Sequence, residues 1–155
     1  MKSITSITGF KNQNGFSLIE LLIVITILGV LSAFVTVGFT ASQRKGRDAN
    51  RKSDLSQYRS ALESYANRRN GLYPVHTSSV AANSLCGAAD LNLGITCPVD
   101  PRSGTAPYEY RYVSDAAGAK YVLYEYLEVS SNYFAMCSTG TTLTQAGVPT
   151  IGNCP

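Results

Sequence analysis

Apolar and polar positions are segregated along this chain rather than mixed. From Leu21 to Gln43 no charged side chain occurs, and the stretch from Phe16 to Gln43 carries only Glu20. At ~1.5 Å rise per residue this stretch predicts a helix of roughly 42 Å, longer than the ~30 Å hydrocarbon core of a bilayer. Farther on, Leu55, Tyr58, Leu62 and Tyr65 recur at helical spacing and form an apolar stripe. Arg51, Lys52, Arg59 and Arg68 are read as lying mostly off it. A continuous helix from Phe16 to about Arg69 would be roughly 80 Å long. Asn70-Gly71 supplies its C-terminal stop and Pro74 follows. Gly29 and Gly38 are weak points in the apolar half, each costing ~1 kcal/mol relative to alanine.

A helix cannot bury such a stripe alone, so later residues must cover it. Val75 to Thr105 is rich in Ser, Ala, Asn and Gly with no clear period and reads as a loop region. Strand patterns follow at Tyr108 to Val113, Tyr121 to Val129 and Asn132 to Cys137, with turns at Ser114 to Gly118 and Ser130-Ser131. The expected fold is α+β: a long N-terminal helix, membrane half then amphipathic half, against a small three-stranded antiparallel sheet.

The 155 residues suffice for one domain with an appendage. Charged residues make up 15% against 45% hydrophobic, which with the apolar run argues against a cytosolic globular enzyme. Disorder, collagen-like repeats and a zinc-finger array are excluded, because Cys and His spacings fit no metal template and His76 is the one histidine. His76 reads as an exposed loop residue, and no nucleophile, base and orienting group can be assembled around it, so the chain is read as no enzyme and no cofactor is expected.

The net charge of +3 hides an asymmetry. Residues 44–69 carry Arg44, Lys45, Arg47, Arg51, Lys52, Arg59, Arg68 and Arg69 against Asp48, Asp54 and Glu63, a balance of +5, whereas residues 70–155 have a balance of −3. A solvated face beside anionic lipid explains the basic stem most simply. Attraction between the stems and heads of neighbouring subunits is a sharper reading. DNA binding lacks support, since the only aromatics interleaved there are Tyr58 and Tyr65.

All four cysteines, Cys86, Cys97, Cys137 and Cys154, lie beyond the apolar stretch, which points to disulfides formed in an oxidising space. Three pairings are open. Cys86 with Cys97 and Cys137 with Cys154 is favoured, because each closes a short loop, worth ~3 kcal/mol in the chain-entropy model.

Residues 1–15 are polar, carry Lys2 and Lys11, and lack an apolar core of their own, unlike an ordinary secretory signal. The candidate junction, Gly15-Phe16, precedes the apolar segment instead, and the sequence continues Ser17-Leu18-Ile19-Glu20. This run resembles the class III signal of type IV pilins and pseudopilins; Gly9-Phe10 lacks the following Leu-Ile-Glu and is taken as a decoy. A carboxylate at depth in lipid costs a few kcal/mol, of the order of 3, unless partnered. Cleavage after Gly15 would create a partner, since the new amine on Phe16 lies one helical turn before Glu20. The simpler alternative is that Glu20 sits at the helix N-terminus, where the macrodipole favours an anion. The resemblance implies the first role, with methylation of the Phe16 amine by the cleaving prepilin peptidase and register set by Glu20 during assembly.

The resemblance also implies an organisation: leader 1–15, cytoplasmic and removed; transmembrane and assembly helix 16–43; amphipathic stem 44–70; disulfide-bonded head 71–155. It implies partners as well: a homopolymer of this chain, the prepilin peptidase and methyltransferase, an inner-membrane assembly platform, and membrane lipid before assembly. The positive-inside rule points the other way, since Arg44, Lys45, Arg47, Arg51 and Lys52 outnumber Lys2 and Lys11 and would hold the head in the cytoplasm. The cysteines and the resemblance place it outside.

Asp100-Pro101-Arg102 through Pro107-Tyr108-Glu109-Tyr110 is similar to a segment of the type II secretion major pseudopilin, although two residues longer. That family's calcium loop uses clustered aspartates after the final strand. Residues 138–155 contain no acidic side chain, so no metal is carried over. The tail, bounded by Cys137 and Cys154 and containing Gly140, Gly147, Pro149 and Gly152, resembles the exposed region of surface pilins. The expected function is therefore a subunit of a type IV pilus-like filament, a membrane protein as precursor and extracellular afterwards. The alternatives are the major pseudopilin of a periplasmic type II secretion pseudopilus, or an anchored single-pass ectodomain that never polymerises.

Overall fold

A run of Leu, Ile and Val without proline, opened by Ser17 and closed at Asn70-Gly71, forms α1 (Leu18–Arg68). The computed structural model describes residues 15–87 and 97–154. The polar leader with Lys2, Lys11 and Gly9-Phe10, and the centre of the expected loop region, lie outside the described residues. The chain divides into two compact units, one ending at Phe39 and the other beginning at Thr40, and α1 contributes to both.

In the first unit the helix is apolar and bare. An 18-residue window reaches a mean hydropathy of 2.7, enough by length and composition to cross a membrane. Two of its hydroxyls are turned back on the helix, Thr26 donating to the Ile23 carbonyl at 2.8 Å and Ser32 to that of Leu28 at 2.7 Å. Internal satisfaction of this kind is what a lipid environment demands.

In the second unit α1 ends where Asn70 and Gly71 take φ of 56° and 83°, and the Gly71 N–H donates to the Ala66 carbonyl at 2.8 Å. Upstream of this cap, Leu55, Tyr58 and Leu62 are fully buried, as the stripe predicts, and Tyr65 packs at its margin. The covering sheet has five strands, not three. They are β1 (Val80–Ala81), β2 (Arg111–Ser114), β3 (Tyr121–Tyr126), β4 (Tyr133–Cys137) and β5 (Thr142–Gln145), in that order and all antiparallel. β1 is too short to leave an alternating pattern, and β5 is a polar edge strand whose one apolar side chain is Leu143. Between β1 and β2, the single turn α2 (Ser84–Gly87) places Leu85 in the core, so the segment read as loop carries both a strand and a helical turn.

Period-two alternation gives the sheet two apolar faces. Tyr112, Tyr121, Leu123 and Met136 pack against α1. On the other side Val122, Tyr124, Ala135 and Cys137 gather with Cys154, flanked by Leu143 and Ile151 of the tail. The tail is therefore partly a lid: β5 extends the sheet, and the 3-10 turn Ile151–Asn153 returns Cys154 to the outer face. The β2–β3 turn is held close to the helix exit, with the Tyr73 N–H donating to the Gly118 carbonyl at 2.8 Å. Gly118 has φ of 67°, and a Cβ there would lie 2.7 Å from the Tyr73 carbonyl oxygen, so both conformation and space require glycine.

Candidate functional site

The entrance to α1 is built by four consecutive residues. Ser17 is the N-cap: its Oγ accepts the Ile19 N–H at 3.4 Å, and the Glu20 carboxylate accepts the Ser17 N–H at 3.0 Å. Ser-Leu-Ile-Glu is thus also a capping-box pattern, a local signal the motif reading passed over. It gives Glu20 a partner inside its own chain, close to the simpler of the two roles weighed from sequence. Phe16 is 88% exposed, and every described side chain from Phe16 to Ala33 is exposed as well. Such a surface is stable only in lipid or against other helices.

The basic stem behaves differently. Arg51, expected off the stripe, is fully buried and extends it by one turn before Leu55. Its Nε donates to Asp100 Oδ2 and its Nη2 to Asp100 Oδ1 at 3.1 Å, its Nη1 reaches Asp48 at 2.8 Å, and Nη2 lies 2.8 Å from Glu128 Oε1. Arg47 forks onto the same Glu128 at 2.8 and 2.6 Å. Asp48 accepts the backbone N–H groups of Glu128 and Val129, both at 2.9 Å. The Arg51 and Arg102 guanidinium groups lie 4.9 and 4.2 Å from the centre of the Tyr108 ring.

This cluster balances its charges closely. Burial by itself disfavours the Arg51 cation, but hydrogen bonds to Asp100, Glu128 and Asp48 more than reverse that, and its pKa is raised. Hydrogen bonding to Arg47 pulls Glu128 down to about 2. Glu125 is the exception. It is 1% exposed, neither carboxylate oxygen has a hydrogen-bond partner, and desolvation pushes it up to about 9 despite the attraction of Arg51. Glu125 is therefore a neutral carboxylic acid at neutral pH, on the same face of β3 as Tyr121 and Leu123.

Cys86 is joined to Cys97 and Cys137 to Cys154. The first bridge ties the α2 turn to the segment that delivers Pro98 and Asp100 to α1, where the Tyr58 hydroxyl donates to the Pro98 carbonyl at 2.6 Å. His76 is half-buried rather than exposed, its ring edge-on to Tyr112 at 6.1 Å and its backbone N–H donating to Ser114 Oγ. Among the described residues no group of three His, Cys, Asp or Glu side chains is arranged to hold a metal ion.

The prokaryotic N-terminal methylation motif matches residues 10–36. The type II secretion system core protein G of Dickeya chrysanthemi is 31% identical over 114 residues, covering 73% of this chain and 69% of that protein. The protein of the same name from Vibrio cholerae is 29% identical over 72 residues, 46% of this chain and about half (49%) of its own length. No solved structure matches the chain significantly. The first alignment is too long to be confined to the leader and α1, so it includes part of the sheet region.

Proposed function

Because the chain belongs to the type IV pilin and pseudopilin family, whose subunits are structural and not enzymes, we propose that it is a pseudopilin of the core protein G type, the building block of a type II secretion pseudopilus. The observation that carries this reading is the similarity to core protein G through more than the N-terminal helix. The fixed place of Asp100 supports it, because the segment from Asp100 to Tyr110 is pinned to the stem by Arg51 and Tyr108.

In this reading the precursor is anchored in the cell membrane by residues 16–43, with the leader in the cytoplasm and the head of residues 71–155 outside. Prepilin peptidase cleaves after Gly15 and methylates Phe16. The mature subunits leave the lipid through an inner-membrane platform and polymerise with their apolar helices packed together. Glu20 exchanges its Ser17 amide for the Phe16 amine of a neighbour, which sets the register. Mass analysis of the N-terminal peptide is expected to begin at N-methylated Phe16, and a retained Met1 leader would overturn the assembly reading. Glu20→Ala should insert and be processed yet enter filaments at least about tenfold less well, since loss of a buried charge partner is worth ~1.4 kcal/mol or more.

A surface pilin is the second reading, favoured by the uncharged, mostly exposed residues 138–149. An antibody to that segment separates the two. Labelling only after permeabilisation supports the pseudopilin, and labelled fibres beyond the cell support the pilin.

A further inference from the structure

Where the stem meets the β3–β4 turn there is an open groove of about 340 Å³, lined by Lys45, Ala49 and Lys52 on one side and by Leu127, Val129 and Ser130 on the other, with Asp48 at its base. We propose that this groove is a membrane-docking foot, in which Lys45 and Lys52 take the phosphate of anionic phospholipids while Val129 enters the interface. The inference rests on the membrane-anchored reading of residues 16–43.

The charge of the groove is one-sided for a structural reason. Asp48 would make it acidic, but its two oxygens are engaged by Arg51 and by the N–H groups of Glu128 and Val129. The Glu128 carboxylate beside it is held by Arg47 and Arg51. The cations left facing solvent are Lys45 and Lys52, and the Lys52 ammonium is steered by the Phe134 ring 5.1 Å below it. Two lysines seven residues apart on a helix share one face and lie ~10 Å apart along the axis, a difference that their long side chains can take up in reaching one headgroup layer.

The apolar component stands beside them. Val129 is 53% exposed at the end of the turn, followed by Ser130, Ser131 and Asn132 and by no further charge before Pro155. The Asp48 bond to its N–H fixes the backbone that presents it. Lys45 follows Phe39, the last residue of the apolar unit, by six positions, so the covalent chain alone keeps it within ~20 Å of that residue. An exposed aliphatic side chain flanked by lysines and tethered that near to a bilayer combines the apolar and electrostatic contributions of an interfacial anchor.

The chain has no tryptophan, so Val129→Trp introduces a single emitter. The full chain would be reconstituted into vesicles of brominated phosphatidylglycerol and, separately, brominated phosphatidylcholine. The expected result is a blue shift and at least twofold quenching in phosphatidylglycerol, little change in phosphatidylcholine, and loss of the effect in 0.5 M salt or with Lys45→Gln/Lys52→Gln. Equal emission in both lipids would overturn the proposal. So would a shift that follows protein-to-lipid ratio rather than lipid charge, which would assign the groove to a neighbouring subunit. Failure of the chain to stay in vesicles under alkaline extraction would overturn the anchored reading instead. Protease protection at Ser130-Ser131 in the chain with Val129 intact, expected only on phosphatidylglycerol, gives the same contrast without the substitution.

Discussion

The two stretches of α1, Leu18 to Phe39 and Arg44 to Arg68, have opposite relations to their side chains. The first is almost purely apolar, yet every side chain described from Leu18 to Ala33 is exposed; the second is rich in charge, yet it buries Arg51 completely and Asp48 nearly so. Burial here follows the availability of a partner rather than hydropathy. Leu22 is left 57% exposed among the described residues, whereas Arg51 has Asp100, Asp48 and Glu128. A hydrophobic surface without cover implies a partner still to come, and a covered charge implies a partner already supplied.

The sharpest way to break this contrast is to remove the buried cation. Arg51→Ala takes from Asp100, Asp48 and Glu128 the cation they share, leaving Glu128 to Arg47 and Asp100 without its ion-pair partner, and should destabilise the head by about 3–5 kcal/mol in urea unfolding followed by near-UV circular dichroism. Arg51→Met, which also removes the charge but fills the volume, should lose about as much unless Asp100 and Glu128 are neutralised with it. Full stability of the alanine variant would mean that the cluster contributes nothing.

Opening the outer face comes next. Replacing Cys137 and Cys154 by serine should cost ~3 kcal/mol, in line with the loop between them, and should loosen Ile151 from Val122 while leaving α1 packed. Hydrogen exchange confined to β5 and the tail would agree; exchange spreading to Leu55 and Leu62 would not. Non-reducing peptide mapping checks the pairing itself, and a Cys97–Cys137 link would refute it.

A smaller effect separates the neutral acid from the paired ones. Above pH 4.5 the unfolded chain carries Glu125 as a carboxylate, while the folded head holds it protonated until about 9. Folding therefore takes up a proton in that window, and stability should fall by ~1.4 kcal/mol between pH 6 and pH 7. Glu125→Gln should abolish that slope. Glu128 works in the opposite sense: its stabilisation is present above 4.5 and is lost as pH falls through about 2. The smallest change belongs to the exposed segment. Leu22→Ala should shift head unfolding by less than ~0.5 kcal/mol, since its side chain is exposed and lies outside the unit that carries the sheet, and should show its effect in filament yield.

How much of this was legible depended on whether the signal was local. The stripe of Leu55, Tyr58 and Leu62, the Asn70-Gly71 stop and strands β2 to β4 follow from periodicity, and each stands close to where it was expected. Arg51 reads as solvated from sequence because charge ordinarily means solvent, and the structure buries it. Its spacing told otherwise: positions 48, 51, 55, 58 and 62 form one helical face, so the stripe continues backwards through an acid and a base. What sequence could not supply was the identity of the distant partners, Asp100 and Glu128. β5 was missed for a different reason, since Thr142-Leu143-Thr144-Gln145 has the alternation of an edge strand with only one apolar residue to display it. The N-terminal methylation motif within residues 10–36 was legible because a recognition sequence has to be local.

The pairing of Asp48 with the backbone of Glu128 and Val129 spans 80 and 81 residues, and that of Arg51 with Asp100 spans 49. A chain emerging from its N-terminus therefore presents the stem long before it presents the stem's counterions. Until β3 and the turn after it have been delivered, Arg51 has no buried place to go, and the helix around it remains hydrated, cleavable and free to engage other anions. A head whose stem is closed by partners of that sequence separation has high contact order and closes correspondingly late in its folding.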